Sequence, residues 1–420
     1  MGVSPVQEGR VIVSHPTGNA NVSAVVSSLQ DEGLLAAFYT CLMWRAKSPL
    51  ARLIPGSMRA MLERRARVQI PLELVHMRPF RELVRSLLIR AGKKRFVSAE
   101  LSYFSIDNVY RDLDRYVARN LQRYSHLQAV YAYEDGALHQ FRIAHQLGIH
   151  CIYDLPIGYW RANREISITE AELQPAWKGT LNALGNSPEK CARKDEEIAL
   201  ADTIFVASSY TRSTLKLYPG DEKKVVVIPY GTPSPIRIAR EITKKTDPIR
   251  VLYVGSLTQR KGISYLFEAI RQLGSAATLT VVGRKVGSSE ALDKACNAHR
   301  WIESLPHSEI LAQMRQHDVF VFPSLFEGFG LVIGEALSQG MPVITTPNTG
   351  GPDILRDGTD GFIVPIRDAE AIAARLLELH DDRALLQQMS DAARERAGQL
   401  DWQGYRARTA EMVSKVIGAS

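Results

Sequence analysis

Residues 318–346, "DVFVFPSLFEGFGLVIGEALSQGMPVITT", set a strand, a helix and a second strand in direct succession. The apolar run ahead of Pro323 has strand length, the piece from about Gly330 carries apolar side chains at helical spacing, and "PVITT" is again a short β-branched run. Strands joined through a helix lie parallel in one sheet. The loop "SLFEGFG" therefore leaves the carboxyl edge of that sheet, where open α/β folds bind ligands. Glu327 lies on this loop, and Glu335 falls in the second turn of the helix, on the same side. Gly328 and Gly330 let the backbone approach a ligand, and the helix-start amides stand at the positive end of the helix. Carboxylates accept from hydroxyls and such amides donate to phosphate oxygens, so a polyhydroxylated ligand with phosphates suits the arrangement. A solvated carboxylate pair flanking a helix is the plain alternative; the apolar "GFGLVIG" between the two speaks against it.

The same alternation runs through the whole chain. "RVIVSHPTGNANVSAVVSSL" reads as a strand (Val11 to Ser14), a turn (Pro16 to Asn19) and a helix. "LQAVYAYEDGALHQFRIAHQLGIHCIYDLP" gives strand, helix and strand, and "ADTIFVASSYTRSTLKLY" another strand and helix. A Pro/Gly/Ser-rich stretch at 229–235 reads as a linker, after which "RVLYVG", a helix from about Gly262 to Leu273, "LTVVG", "DVFVFP", "PVITT" and "GFIVP" form a second series. The fold class predicted is α/β, in two similar halves, and 420 residues are enough for two cores.

Composition excludes several functions. With 45% hydrophobic and 23% charged residues and no apolar run near the roughly 20 residues that span a bilayer, the chain reads as globular. The start, "MGVSPVQEGRVIVSH", lacks the plan of a secretory signal, and Val6 stands where a myristoylation pattern wants Ser or Thr, so a cytoplasmic protein is expected. Cys41, Cys151, Cys191 and Cys296 show no disulfide or metal-ligand spacing and read as reduced structural residues.

The net charge of +7 is unevenly placed: fourteen Lys/Arg against Glu63, Glu73 and Glu82 give +11 between Arg45 and Arg95, and the remainder carries −4. Within that segment Phe80, Leu83, Val84, Leu87 and Leu88 recur at helical spacing, with Arg78, Arg81 and Arg85 on another face. Two readings stay open, a helix packed on its own domain and attachment of 45–95 to an anionic membrane surface, the inner face of the cell membrane. No stacking platform or recognition motif accompanies the charge, so nucleic acid is not expected.

Upstream of the glutamates, "GSLTQRKG" sets Arg260 and Lys261 after another strand, on the same sheet edge by the right-handed crossover rule, where two cations would neutralise a diphosphate. "GSLTQRKGISYLFEAI", "SLFEGFGLVIGEALSQGMPVITTPNTGGPDILRDGTDGFIVPIRD" and "DW" at 401–402 resemble the GT-B-fold glycosyltransferases of family 4, densely from about 250 to 402 and more thinly before. The resemblance implies two Rossmann-like domains facing across a cleft: 1–232 on the acceptor side, completed by a helix at 402–420, and 233–401 binding the nucleotide sugar. It implies a retaining transfer of sugar from a nucleotide diphosphate sugar, as co-substrate, to a glycan or lipid-linked acceptor in cell-surface polysaccharide or glycolipid synthesis, with no metal or other cofactor.

By the same resemblance Glu335 holds the ribose hydroxyls, Glu327 contacts the donor sugar, Gly328, Phe329, Gly330 and Leu331 lie near sugar and phosphate, Lys261 meets the diphosphate, and Gly18 approaches it from the first half. Two departures stand out. Ser256 occupies a place where the family often has Arg, which leaves Arg260 as the second cation. The histidine usual after a strand of the first domain is missing from "CIYDLPIGYWR", where Asp154 or Leu155 stands. Asp154, or Glu134 and Asp135, would then accept from a sugar hydroxyl, with a strand-end or cap role as the alternative; His15 is a further contact on the same terms. Two rivals remain at this level: a non-catalytic sugar-nucleotide-binding subunit, and an epimerase or phosphorylase on a similar fold.

Overall fold

Short β-branched runs become strands buried on both faces when helices cover a parallel sheet from either side. In the computed structural model, which describes residues 9–43, 70–98, 100, 102–181, 185–237 and 240–418, the first series is β1 (Val11–Ser14), α1 (Ala20–Asp31), β2 (Leu35–Thr40), β3 (Val75–Met77), α2 (Phe80–Arg90), α3 (Ile106–Ala118), β4 (Ala129–Tyr133), α4 (Leu138–Gln146), β5 (His150–Leu155), α5 (Trp160–Leu173), α6 (Pro188–Leu200), β6 (Thr203–Val206), α7 (Ser209–Thr214) and β7 (Lys224–Val227). Its strands form one parallel sheet in the order β3-β2-β1-β4-β5-β6-β7.

The second series is β8 (Ile249–Val254), α8 (Ile263–Leu273), β9 (Ala277–Val282), α9 (Glu290–Ala298), β10 (Arg300–Ile302), α10 (His307–Gln316), β11 (Val319–Phe322), α11 (Leu331–Ser338), β12 (Val343–Thr345), α12 (Gly351–Ile354), β13 (Gly361–Ile363), α13 (Ala369–Asp381) and α14 (Arg383–Gly398). These strands make a second parallel sheet, β10-β9-β8-β11-β12-β13. The strand order reverses direction between β1 and β4 and between β8 and β11, and a crevice opens at such a switch point. Two α/β domains in this arrangement are the two-Rossmann fold expected.

The chain passes between the domains twice, side by side. Thr232 forms a bridge with Asp401, and its amide and hydroxyl donate to Leu400 O (2.6 Å) and Ala397 O (2.8 Å). The last helix, α15 (Trp402–Gly418), then returns to the first domain, packs on α1 and pairs Arg406 with Asp31. Its Tyr405 joins Tyr230 and Trp402 in one aromatic cluster. All four cysteines are buried. Among the described residues no helix is long and apolar enough to cross a membrane.

The basic helix departs in part from the sequence expectation, its apolar row being divided between half-buried and exposed residues. Residues 45–69 of the basic segment lie outside the described residues, as do Gly2 and Val6. In α2 and the residue group before it, Arg78 and Arg81 both reach Asp112 of α3 (3.2 and 3.5 Å), Arg81 stacks on Tyr103 with its guanidinium 3.8 Å from the ring centroid, and Arg85 pairs with Glu82 at 3.5 Å. Phe80 and Leu87 are instead 62% and 56% exposed, with Leu72, Met77, Ile89, Phe96 and Tyr103 exposed nearby. Asp112 on the neighbouring helix draws Arg81 inward and pairs the exposed Arg78, while Phe80 and Leu87 face out and Leu83, Val84 and Leu88 are half-buried.

Candidate active site

The loops leaving β8 and β11, neighbours in the second sheet, carry the two halves of the expected site. After β8 a short turn, Gln259–Lys261, is closed by Gly262 in the left-handed region (φ 67°). A Cβ at Gly262 would stand 2.0 Å from Pro323 O, so only glycine lets the two loops touch. Arg260 braces them: its carbonyl accepts from Leu325 N (3.0 Å) and its Nη1 donates to Phe326 O (2.7 Å). Burial holds this guanidinium below the usual arginine value.

Lys261 is buried, its ammonium in contact with Glu327 Oε2 and 4.8 Å from the centre of the Phe322 ring. Burial and the Arg260 charge push the ammonium well below the usual lysine range. The neighbouring Glu327 carboxylate acts in the opposite sense, favouring the charged ammonium. Gly328 N donates to the other Glu327 oxygen at 3.2 Å. Phe329 is buried against Tyr230 (5.2 Å between centroids), and Gly330, at φ 83°, heads α11. Leu331 begins that helix, and the amides of Leu331 and Val332 precede its first backbone bond, from Ile333 N to Gly330 O (2.9 Å). Glu335 follows in α11 with Oε1 3.0 Å from His307 Nε2. Arg260, Lys261, Glu327, Gly328, Phe329, Gly330, Leu331 and Glu335 thus meet at one sheet edge.

The first domain closes on this edge through Gly328. Ser208 and Thr211 hydroxyls both donate to Gly328 O, the latter at 2.9 Å, and a Cβ on Gly328 would stand 1.9 Å from Pro156 O. Asp353 in α12 accepts from Ser209 N (3.0 Å) and Ser209 Oγ (3.1 Å) at the start of α7. Farther along, α5 of the first domain inserts a buried carboxylate, Glu170, among Arg367, Gln259 (2.8 Å) and Tyr265 (3.2 Å) of the second.

The residues expected from the first domain are placed less uniformly. In the loop after β1, Thr17 N and Gly18 N donate to His15 Nδ1 at 3.2 and 3.0 Å. Burial lowers the His15 pKa to about 4, so the ring is neutral and its Nδ1 organises the loop as an acceptor. The place given to Asp154 is corrected. Strand β5 runs through Leu155, so Asp154 sits inside the strand and not after it, and its side chain is buried with Oδ2 accepting from Tyr131 OH at 2.6 Å. Burial raises its pKa to about 7, against the Tyr131 hydrogen bond. Glu134 is paired with Lys194 at 2.8 Å, and Asp135, at φ 70°, lies between Lys194 (3.6 Å) and Lys190 (3.9 Å). Both carboxylates are engaged by α6.

At the opposite, amino edge of the same sheet the fold gathers His145, Cys151 and Asp202 within 4.8 Å, a grouping that sequence spacing does not reveal. Two of them also serve the backbone: Asp202 accepts from Cys151 N (2.7 Å) and His145 bonds Leu200 O (2.7 Å). Sequence reasoning missed His307, Ser208, Thr211 and Asp353. A signal existed for two: "SLPHSEI" follows a strand at the same edge as Arg260, and Ser208 is the N-cap of a helix that follows a strand.

Fold and cleft together define a two-domain enzyme of the GT-B architecture. Residues 236–396, nearly all of the second domain, match the family model "Glycosyl transferases group 1". The chain is 27% identical over 285 residues to a glycogen synthase of Mycobacterium tuberculosis, covering 65% of this chain and 67% of that protein. It is 29% identical over 224 residues to a Staphylococcus aureus glycosyltransferase named for capsular polysaccharide biosynthesis, covering 48% of this chain and 58% of the relative. The crystal structure of Anabaena HepE in complex with UDP superposes with a TM-score of 0.63 at 15% identity, over 97% of this chain and 100% of that one, a likeness of fold.

Proposed function

We propose that this protein transfers a sugar, with retention of anomeric configuration and without a metal ion, from a nucleotide diphosphate sugar to a glycan or lipid-linked acceptor in cell-surface polysaccharide or glycolipid synthesis. The observation that carries the reading is the pair of buried Lys261 and half-buried Glu327 at the β8/β11 switch point, beside Arg260 and the start of α11. A diphosphate arriving there would share the Lys261 ammonium, and the negative charge that grows on it as the sugar leaves would meet Lys261 and the first amides of α11 already in place. Arg260, by holding Phe326 O, keeps that loop in register. Glu327 is then released to accept from sugar hydroxyls, and Glu335 accepts from the ribose. His15 shapes the opposing Pro16–Asn19 loop, so that Gly18 can approach the phosphates. The names of the glycogen synthase and capsule relatives support a polymeric acceptor.

A thermal-shift panel of UDP-, GDP- and ADP-sugars tests the donor site, because a ligand at about 100 Kd stabilises the folded state by roughly 2.7 kcal/mol. No shift with any of them removes the reading. Anomer analysis of the product then separates retention from inversion. The exposed apolar surface from Leu72 to Tyr103 supports attachment to a lipid bilayer, where a lipid-linked acceptor is presented.

A further inference from the structure

Helix α10 begins with His307 at the carboxyl edge of β10, and α11 brings Glu335 to the same edge. The two side chains meet there, Nε2 to Oε1, at 3.0 Å. A carboxylate only accepts, so Nε2 carries the hydrogen, and in the neutral ring Nδ1 remains an acceptor. One oxygen of Glu335 is taken and Oε2 is left for a ligand. The imidazole is 54% exposed and the carboxylate 21%, so the pair lies at the surface of the cleft edge and not in the core. A free glutamate side chain has several rotors to immobilise when it grips a hydroxyl, and a partner that fixes it beforehand removes that cost from binding.

On the reading that Glu335 accepts from the ribose, the geometry points to His307 as the residue that positions the Glu335 carboxylate and thereby sets the preference of the site for ribose over 2′-deoxyribose. His307 is a positioning residue in this role, acting through Glu335. The contact joins two helices that the chain reaches by separate crossovers, and this ties the shape of the nucleoside site to the registry of α10 against α11.

The test is calorimetric titration of the full chain with UDP, GDP and ADP, then with the 2′-deoxy form of whichever binds. The wild type is expected to favour the ribonucleotide by about tenfold, the scale of a hydrogen bond to a charged group. Glu335→Ala should abolish the preference. His307→Ala should reduce it to within about threefold, and His307→Gln, which can still donate, should restore most of it, with the ligand-free melting temperature unchanged in both. An undiminished preference in His307→Ala overturns the inference and leaves the ribose reading standing. An undiminished preference in Glu335→Ala, or no binding of any of the three diphosphates, overturns that reading and the inference with it.

Discussion

Replacing Asp154 by asparagine is expected to stabilise the protein by an amount that grows as the pH rises. Asp154 is buried and its pKa stands near 7 instead of the usual 3.8. Between those values the folded state keeps a proton that the unfolded chain has released, so wild-type stability falls with increasing pH over this window. At 1.36 kcal/mol per pH unit the full effect is on the order of 4 kcal/mol, of which about 2–3 kcal/mol develops between pH 5 and pH 8. Asparagine cannot ionise, yet its Oδ1 can still accept the Tyr131 hydrogen bond. The hydroxyls around the carboxylate, those of Tyr131, Tyr133, Tyr230 and Tyr405, are all pushed above the usual tyrosine value by burial and stay neutral throughout. His15, lowered to about 4, and Glu197, raised to about 8, give slopes of their own, but both are present in wild type and variant and drop out of the difference. Urea denaturation followed by circular dichroism at pH 5, 6, 7 and 8 measures that difference. A gap that is flat or narrows with pH would refute the reasoning, and a variant of unchanged stability that has lost turnover would return Asp154 to the cleft.

Lys261→Ala is expected to weaken nucleoside diphosphate binding by at least tenfold, because it removes a charged partner and leaves the half-buried Glu327 carboxylate facing the phosphates without its cation; calorimetry against the nucleoside alone, whose affinity should hold, checks that the loss is at the phosphates. Gly328→Ala sets a methyl group against Pro156 O, so the domains should stand apart, with a larger radius of gyration in small-angle scattering and a lower kcat; an unchanged radius would remove Gly328 from the domain contact. Phe80→Ser with Leu87→Ser should release the protein from anionic vesicles without lowering its melting temperature, whereas Arg81→Gln should lower the melting temperature, since it strips Asp112 and Tyr103 of a partner; sedimentation and melting of both proteins distinguish the two faces of α2.

The sheets were legible because parallel strands buried on both faces must be continuous apolar runs, as "RVLYV" and "DVFVF" are. The donor-side residues were legible for a related reason: strand, loop and helix follow one another so closely from Val319 to Ser338 that the loop has one edge to leave from. What stayed hidden depends on contacts between distant segments. Nothing within 78–90 says that Asp112 will draw Arg81 inward and pair Arg78, and the period of α2 reads equally well with either face out. Asp154 was misplaced because a buried carboxylate inside a strand looks, in sequence, like the polar residue that ends one. Its partner Tyr131 is on the neighbouring strand, visible only once β4 and β5 are paired. His307 and Glu335, 28 positions apart, meet only across two helices.

The return of α15 to the first domain has a consequence for synthesis. The last strand of the first sheet, β7, ends at Val227, but the helix that packs on α1 and contributes Tyr405 starts at Trp402. At 5–20 residues per second a ribosome needs on the order of ten seconds or more to span that interval, during which the whole second domain emerges. The second domain, whose strands and helices are contiguous in the chain, can therefore reach its final packing first, while the partner face of α1 waits uncovered. Nascent chains halted just before Trp402 should accordingly display a protease-resistant second domain beside a first domain that still recruits chaperones.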